Sequence, residues 1–208
     1  MSLILDSLPT GPLEVNCYII GCETTRKAAV VDPGGDADRI LALLDSHQLN
    51  IEWIINTHGH FDHIGGNRQL IEKTGAKLMI HPADRPLLAR AGEHAAAFGL
   101  QTENSPEPTR ELVHGDILTL GKLSLRVIHT PGHSLGGICL LIDDVLIVGD
   151  TLFAGSIGRT DLPGGDHQLL IDNIRQKLLV LPEATRVYPG HGPMTTIGRE
   201  KQYNPFLV

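Results

Sequence analysis

The stretch "NTHGHFDHIGG" (56–66) places His58, His60, Asp62 and His63 within six successive positions. His58 and His60 stand two apart, so on an extended segment both side chains leave the same face and can serve one ion. Gly59 between them permits a backbone geometry that a Cβ would hinder. Asp62 and His63 follow after a turn and are aimed elsewhere, which suits a second ion close by. Imidazole nitrogen and carboxylate oxygen match Zn²⁺, Fe²⁺ or Mn²⁺, whereas Ca²⁺ and Mg²⁺ prefer all-oxygen shells.

Further along, "TPGHS" carries His133, "GDTLF" carries Asp150 and "YPGHG" carries His191. A single histidine in such a setting reads as a solvated loop residue; the four segments together read as a metal centre. Two ions about 3.5–4 Å apart can share a hydroxide, make a nucleophile at neutral pH and clamp a charged intermediate. The chemistry expected is hydrolysis of an acyl or phosphoryl bond.

Each of these residues stands where an apolar run ends. "IEWIINT" leads to His58 and His60, "LRVIHTPG" to His133, "VLIVG" to Asp150 and "TRVYPG" to His191. Loops at one edge of packed strands gather into one site on a rigid base. Short runs rich in Val, Ile and Leu predict strands at 3–8, 15–21, 27–32, 51–57, 76–80, 116–121, 123–130, 137–143, 145–150 and 185–190. Helical spacing marks 36–47, with Asp36 as N-cap, and 167–181, with Leu169, Leu170, Ile174, Leu178 and Leu179 as its apolar stripe. Weaker helices are predicted at 67–74 and 83–97. Two runs of strands with occasional helices predict an α/β sandwich of two mixed sheets with helices outside. The polar stretch "GLQTENSPEPTR" (99–110) is expected to be a surface loop between the halves.

The bulk composition narrows the partners. A net charge of −7 over 208 residues, with no basic stripe, argues against nucleic acid as a ligand. No apolar run reaches membrane-spanning length. The opening "MSLILDSLPTGPLEV" has no basic n-region, so no signal peptide is expected. Cys17, Cys22 and Cys139 form no C-x-x-C pair and read as reduced, buried thiols, which fits a cytoplasmic protein.

The H-x-H-x-D-H run at 58–63, the three later segments in this order, and "VDPGGD" (31–36) resemble the metallo-β-lactamase superfamily over nearly the whole chain. The resemblance implies a four-layer αβ/βα sandwich forming one domain over 1–208, with the metal site at one edge of the sheets. It implies His58, His60 and His133 as ligands of a first ion and Asp62, His63 and His191 as ligands of a second. Asp150 is then the bridging carboxylate, and the cofactors are two divalent ions per chain, zinc or else iron or manganese.

Within the superfamily, "GDTLFAGSIGRTD" (149–161) resembles glyoxalase II, the hydroxyacylglutathione hydrolase. Arg159 matches a basic residue that helps hold glutathione there. Exported β-lactamases, many of which lack the histidine matching His63, nucleic-acid-processing members and flavin-fused members fit this short, acidic chain less well. The implied function is hydrolysis of S-(hydroxyacyl)glutathione or a related small thioester by a hydroxide shared between the ions, with Asp62 and Asp150 orienting it or accepting its proton. A thiol of pKa about 8.5 leaves as thiolate without a general acid. The developing oxyanion would be stabilised by a metal.

Departures from glyoxalase II fall at the substrate end. The chain ends soon after His191, at "GREKQYNPFLV", where full-length relatives continue into a helical domain that supplies much of the glutathione site. Asp161 and the pair Gly192 and Pro193 stand where the family has tyrosines. The alternative is a persulfide dioxygenase, which shares "GRTD" and a tail like "NPFL" and would hold one iron through His58, His133 and Asp150. A non-catalytic metal-binding domain is the third reading, although a relic site would be expected to have lost ligands.

Overall fold

A computed structural model describes residues 3–208. Its first sheet sets side by side, in chain order, Leu3–Thr10 (β1), Val15–Cys22 (β2), Lys27–Val31 (β3), Asn50–Ile55 (β4), Lys77–Ile80 (β5) and Arg110–Glu111 (β6). β1, β2 and β3 run antiparallel; from β3 to β6 the pairing is parallel. The second half contributes Ile117–Leu120 (β7), Leu123–His129 (β8), Ile138–Ile142 (β9) and Val145–Gly149 (β10). After a two-stranded hairpin, Leu152–Phe153 (β11) and Ser156–Ile157 (β12), come Arg186–Pro189 (β13) and Thr195–Thr196 (β14). The second sheet runs β14-β13-β10-β9-β8-β7, with β10 and β13 parallel and the other pairs antiparallel.

Successive side chains of a strand point to opposite faces, and here both faces are apolar. Tyr18, Ile20, Ala29, Val31 and Ile55 face inward against Leu125, Val127, Leu140 and Ile147 of the second sheet. Their neighbours Cys17, Ile19, Ala28, Val30 and Ile54 face outward and are covered by Ile40, Leu44, Ile64, Leu70 and Leu88. On the other outer face, Cys139, Leu146 and Val148 meet Leu170, Ile174, Leu178 and Ile197. The result is the expected four-layer αβ/βα sandwich, and burial on both faces explains why its strands read as continuous apolar runs. No helix among the described residues is long and apolar enough to cross a membrane.

The helices are Ala37–Ser46 (α1), Phe61–Ile64 (α2), Asn67–Thr74 (α3), Arg85–Leu88 (α4), Ala91–Ala97 (α5), His167–Asn173 (α6) and Ile197–Tyr203 (α7). Asp36 opens α1 with a left-handed backbone, φ 52°, but its carboxylate accepts the Gly11 N–H at 2.9 Å and does not cap its own helix. The helix expected over 83–97 is broken into a short 3₁₀ turn, α4 and α5. Pro86 has no N–H to give, and the Gly92 N–H goes to the side-chain amide of Asn104 at 2.9 Å. The stripe over 167–181 also needs correction. α6 widens into a π-helical turn at Ile174–Leu178, and Leu169 is exposed while Leu170, Ile174 and Leu178 are buried. The stretch 99–110 is a strap and not a free loop. Ser105 is buried against Asn67, the Thr109 N–H reaches the Leu78 carbonyl at 2.8 Å, and Arg110 begins β6.

Where β5 and β8 end, the two sheets meet through a pair of imidazoles. His81 and His129 stack with ring centroids 3.9 Å apart and planes 11° from parallel. Burial pushes both below the ordinary histidine range, His81 to about 4, and the His129 ring adds to the shift on His81. The folded chain therefore binds these protons less readily than the unfolded one. Stability should be lost as pH falls below the unfolded value of about 6.5 toward about 4. Allowing for partial exposure, the pair should cost about 1 kcal/mol between pH 7 and pH 5, roughly 2–4 °C in Tm. His81→Asn keeps an acceptor for the Ala83 N–H that His81 now caps at 3.2 Å. It should unfold in urea with a smaller acid-induced loss than the parent, and an equal loss in both would remove the pair as the cause.

Candidate metal centre

The site is assembled at the edge where β3, β4, β8, β10 and β13 end. Asp32, directly after β3, accepts the Thr57 N–H at 2.7 Å through Oδ1 and the Thr57 hydroxyl at 2.5 Å through Oδ2. The same Oδ2 lies 3.0 Å from His63 Nδ1. Asn56 donates to the His63 carbonyl at 3.1 Å and accepts from Asn67 at 2.8 Å. This buried network fixes the path of 56–63 before any ion is considered. Gly59 is needed for space and not for an unusual φ: a Cβ there would lie 2.8 Å from Leu87 Cβ and 2.9 Å from the Asp84 carbonyl.

The hydrogen-bond partners assign the ring nitrogens of two histidines. The Thr57 hydroxyl spends its proton on Asp32, so at 3.1 Å it accepts from His58 Nδ1–H. His133 Nδ1 donates to the Arg159 carbonyl at 2.8 Å. In the neutral rings both Nε2 atoms are then lone pairs, and they face each other at 3.2 Å. His60 Nδ1 comes to 2.9 Å of the same His133 Nε2. Burial, followed by the neighbouring imidazoles, holds His58 far below the ordinary histidine range and lowers His60 to about 3. Three imidazole nitrogens that converge on one point are suited to a cation. Ligands 2.0–2.1 Å from a tetrahedral ion lie roughly 3.3 Å apart, close to the separations found here.

A second convergence lies beside the first. Asp62 Oδ2 is 3.2 Å from His191 Nε2 and 3.6 Å from His63 Nε2. Asp150 sits between the two groups, with Oδ1 3.4 Å from His63 Nε2 and Oδ2 3.7 Å from His133 Nε2 and 3.9 Å from His191 Nε2. His63 Nε2 and Asp150 Oδ1 are buried with no hydrogen-bond partner, an arrangement that costs free energy unless another group is bound there. Burial works against the charged forms of Asp62 and Asp150, yet the adjacent histidines outweigh it and hold both carboxyls below their ordinary range. Burial likewise opposes the His63 imidazolium, but Asp62, Asp150 and Asp32 raise it well above the usual histidine value. The donors fit two adjacent divalent cations: His58, His60 and His133 could hold one and Asp62, His63 and His191 the other, with Asp150 between the two groups. Asp32 and His58 also cluster with His63, but Asp32 already accepts three hydrogen bonds and reads as the partner that orients the ring.

All seven residues picked out from the sequence thus meet at one edge. Arg159 lies beside them, its carbonyl on His133, while its guanidinium turns outward to Asp161. Sequence reasoning missed Asp32 and Asp84. Asp84 is 1% exposed. Its Oδ2 accepts from the Gly59 N–H at 2.9 Å and the Ser134 hydroxyl at 2.7 Å, and its Oδ1 from the Gly136 N–H at 2.5 Å. One carboxylate thereby ties the His58–His60 loop to the His133 loop. Asp84→Ala should cost about 2–4 kcal/mol, because three donors lose their acceptor. Metal affinity should fall about 10–100-fold, as when the partner of a ligand is removed. Urea unfolding of the apo form and competition with a chelator measure the two effects; unchanged metal affinity would show that the loops hold themselves.

Residues 10–191 match the metallo-beta-lactamase superfamily. The chain belongs to that superfamily. The hydroxyacylglutathione hydrolase GloC of Haemophilus influenzae is 38% identical over 207 residues, covering 98% of this chain and 97% of the relative. Among solved structures, the BLEG-1 B3 metallo-beta-lactamase superposes with a TM-score of 0.92 at 38% identity, over 99% of this chain and 100% of that one. TTHA1623 in a di-iron-bound form gives 0.89 at 40% identity, over 97% and 100%. ETHE1 from Myxococcus xanthus gives 0.80 at 32% identity, over 97% and 83%. Superfamily members bind divalent metals and are mostly hydrolytic enzymes.

Proposed function

We propose that this chain is a metal-dependent thioester hydrolase of the glyoxalase II type, acting on hydroxyacyl thioesters of glutathione or a related thiol. The observation that carries the reading is Asp150, whose carboxylate lies between the two histidine groups, with Oδ1 3.4 Å from His63 and Oδ2 3.7 Å from His133 and 3.9 Å from His191. His58, His60 and His133 would hold one divalent ion and Asp62, His63 and His191 a second, with Asp150 shared. When bound, such ions lower the pKa of water and polarise a carbonyl oxygen.

The remaining steps belong to the chain's own residues. Asp62 and Asp150 stay ionised at neutral pH, so each is a base able to take a proton from attacking water at Oδ2 or Oδ1. The Asp32 carboxylate keeps the His63 ring fixed through Nδ1, and the Arg159 carbonyl does the same for His133. The thiolate departs without needing an acid, and the site's titratable side chains are arranged as donors to cations. The similarity to GloC along the whole chain supports the hydroxyacyl assignment.

The test joins elemental analysis to turnover. Two metal equivalents per chain with release of thiol from S-lactoylglutathione is the expected result. The similarity to ETHE1, a persulfide dioxygenase, favours a second reading in which His58, His133 and Asp150 hold a single iron. One iron per chain with O₂ consumption on glutathione persulfide would establish that reading and discard the hydrolase. Cleavage of a β-lactam in preference to either substrate would overturn both.

A further inference from the structure

The last histidine of the centre is held from the opposite end of the chain. β3 pairs with β2 over Tyr18–Gly21, so the ladder leaves the Asn16 N–H to another partner, the Gly190 carbonyl at 2.7 Å. The Asn16 side chain extends the contact. Its Nδ2 donates to the carbonyls of Pro189 at 3.1 Å and Gly192 at 2.9 Å. An amide nitrogen carries two hydrogens, and here both are spent. Two residues along β2, on the same face, the Tyr18 hydroxyl donates to the Pro189 carbonyl at 2.6 Å. Burial pushes that phenol up, so it stays a donor across the neutral range. The carbonyls before and after His191 are thus taken by a strand 171 to 176 positions earlier. From the other side, the Gly190 N–H reaches the Gly149 carbonyl at 2.8 Å, next to Asp150. The segment has no slack: a Cβ on Gly190 would lie 2.7 Å from His63 Cε1.

We propose that Asn16 is a positioning residue for the second ion: it fixes the backbone on both sides of His191 and so brings His191 Nε2 to Asp62 and His63. The inference rests on the two-ion reading of the centre. His191 needs this support more than His58, His63 and His133 do. Their Nδ1 atoms are held by Thr57, Asp32 and the Arg159 carbonyl. Among the described residues none holds Nδ1 of His191, whose ring contact with Asp62 Oδ2 at 3.2 Å is made by Nε2, the nitrogen turned toward the ion position. Its side chain is also 32% exposed, against 0% for His63 and 4% for His133. A ring with one face in water and no partner of its own takes its aim from the main chain that carries it. The hydrogen bonds of the Asn16 side chain go to main-chain carbonyls, so it acts through His191 and not on the ion.

The test titrates the metal-free chain with zinc against a chromophoric chelator, in the parent, Asn16→Ala and Tyr18→Phe. The parent should take up two equivalents. Asn16→Ala should weaken one of them about 10-fold, the lower end of what losing a ligand's supporting partner costs, and leave the other unchanged. Tyr18→Phe keeps the buried ring and leaves Asn16 on Pro189, so it should fold and weaken the same equivalent by less. Cadmium NMR of the loaded chain identifies the position. Asn16→Ala should disturb one of two resonances, and Asp84→Ala, which loosens the loops of His58, His60 and His133, should disturb the other. A general loosening of the fold would weaken both equivalents together. That result, no change in either variant, or one resonance disturbed by both Asn16→Ala and Asp84→Ala overturns the assignment and leaves the hydrolase reading standing. A parent that takes up a single equivalent overturns the two-ion centre along with it.

Discussion

Asp150→Asn is expected to lower kcat/KM on a hydroxyacyl thioester by about 10³-fold, within the range for loss of a positioned base. It should also leave the purified chain short of its full metal complement. The carboxylate spans two histidine groups, with Oδ1 toward His63 and Oδ2 toward His133 and His191. An amide offers one oxygen only, and its NH₂ would face ring nitrogens without the negative charge that would offset buried cations. The side chain cannot swing away to compensate. A Cβ on Gly190 would collide with Asp150 Oδ1, which shows how closely the backbone after β13 is drawn against the carboxylate. Steady-state kinetics together with metal analysis check the expectation. Activity within 10-fold of the parent would remove Asp150 from the mechanism, and full metal uptake with no activity in the parent as well would favour a binding domain over an enzyme.

Asp32→Ala should be the most damaging substitution for stability. It strands the buried Thr57 N–H, the Thr57 hydroxyl and the Nδ1–H of His63, all of which Asp32 now satisfies. Each buried donor left alone costs about 1–3 kcal/mol, and breaking a buried charged pair costs roughly 3–5 kcal/mol. The apo chain should therefore lose about 3–5 kcal/mol in urea unfolding. Metal affinity should also fall, by about 10–100-fold, because the His63 ring loses its fixed orientation and the Thr57 hydroxyl no longer sets the tautomer of His58. Asp32→Asn keeps one acceptor oxygen, which at the Oδ2 position can still accept from the Thr57 hydroxyl and His63 Nδ1, and should recover part of the stability but little of the metal affinity. Equal recovery of both would mean that shape and not charge is what Asp32 contributes.

The architecture was readable because the strands are apolar on both faces, and ten short runs sufficed to foretell two sheets. The residues of the centre were readable for the opposite reason: histidines and aspartates directly after apolar strands have no place in a core. Asp32 stands within "VDPGGD" but carries no local sign of its role, which depends on Thr57, 25 positions away, and on His63, 31 away. Asp84 carries no local signal at all, since its partners are one backbone N–H and one hydroxyl on different loops plus a second N–H. Helical spacing over 83–97 did not reveal the break at Arg90, because the Gly92 N–H is claimed by Asn104 across the strap. Arg159 is marked as a ligand contact by its neighbours in sequence, and the structure pairs its guanidinium with Asp161 two residues later.

The centre draws His58, His60, Asp62 and His63 from one half of the chain and His133, Asp150 and His191 from the other, joined across separations of 75 and 129 positions. Neither half owns both proposed donor sets, so filling both positions would come after the two sheets have docked. Contacts this distant form slowly, and a chain that has taken up its metals has thereby passed a check on its own assembly. Ions held there would act as a clasp between halves, so loading should slow unfolding far more than it speeds folding. A newly made chain in metal-poor surroundings would fold and come apart repeatedly, and one supplied with metal would stay closed.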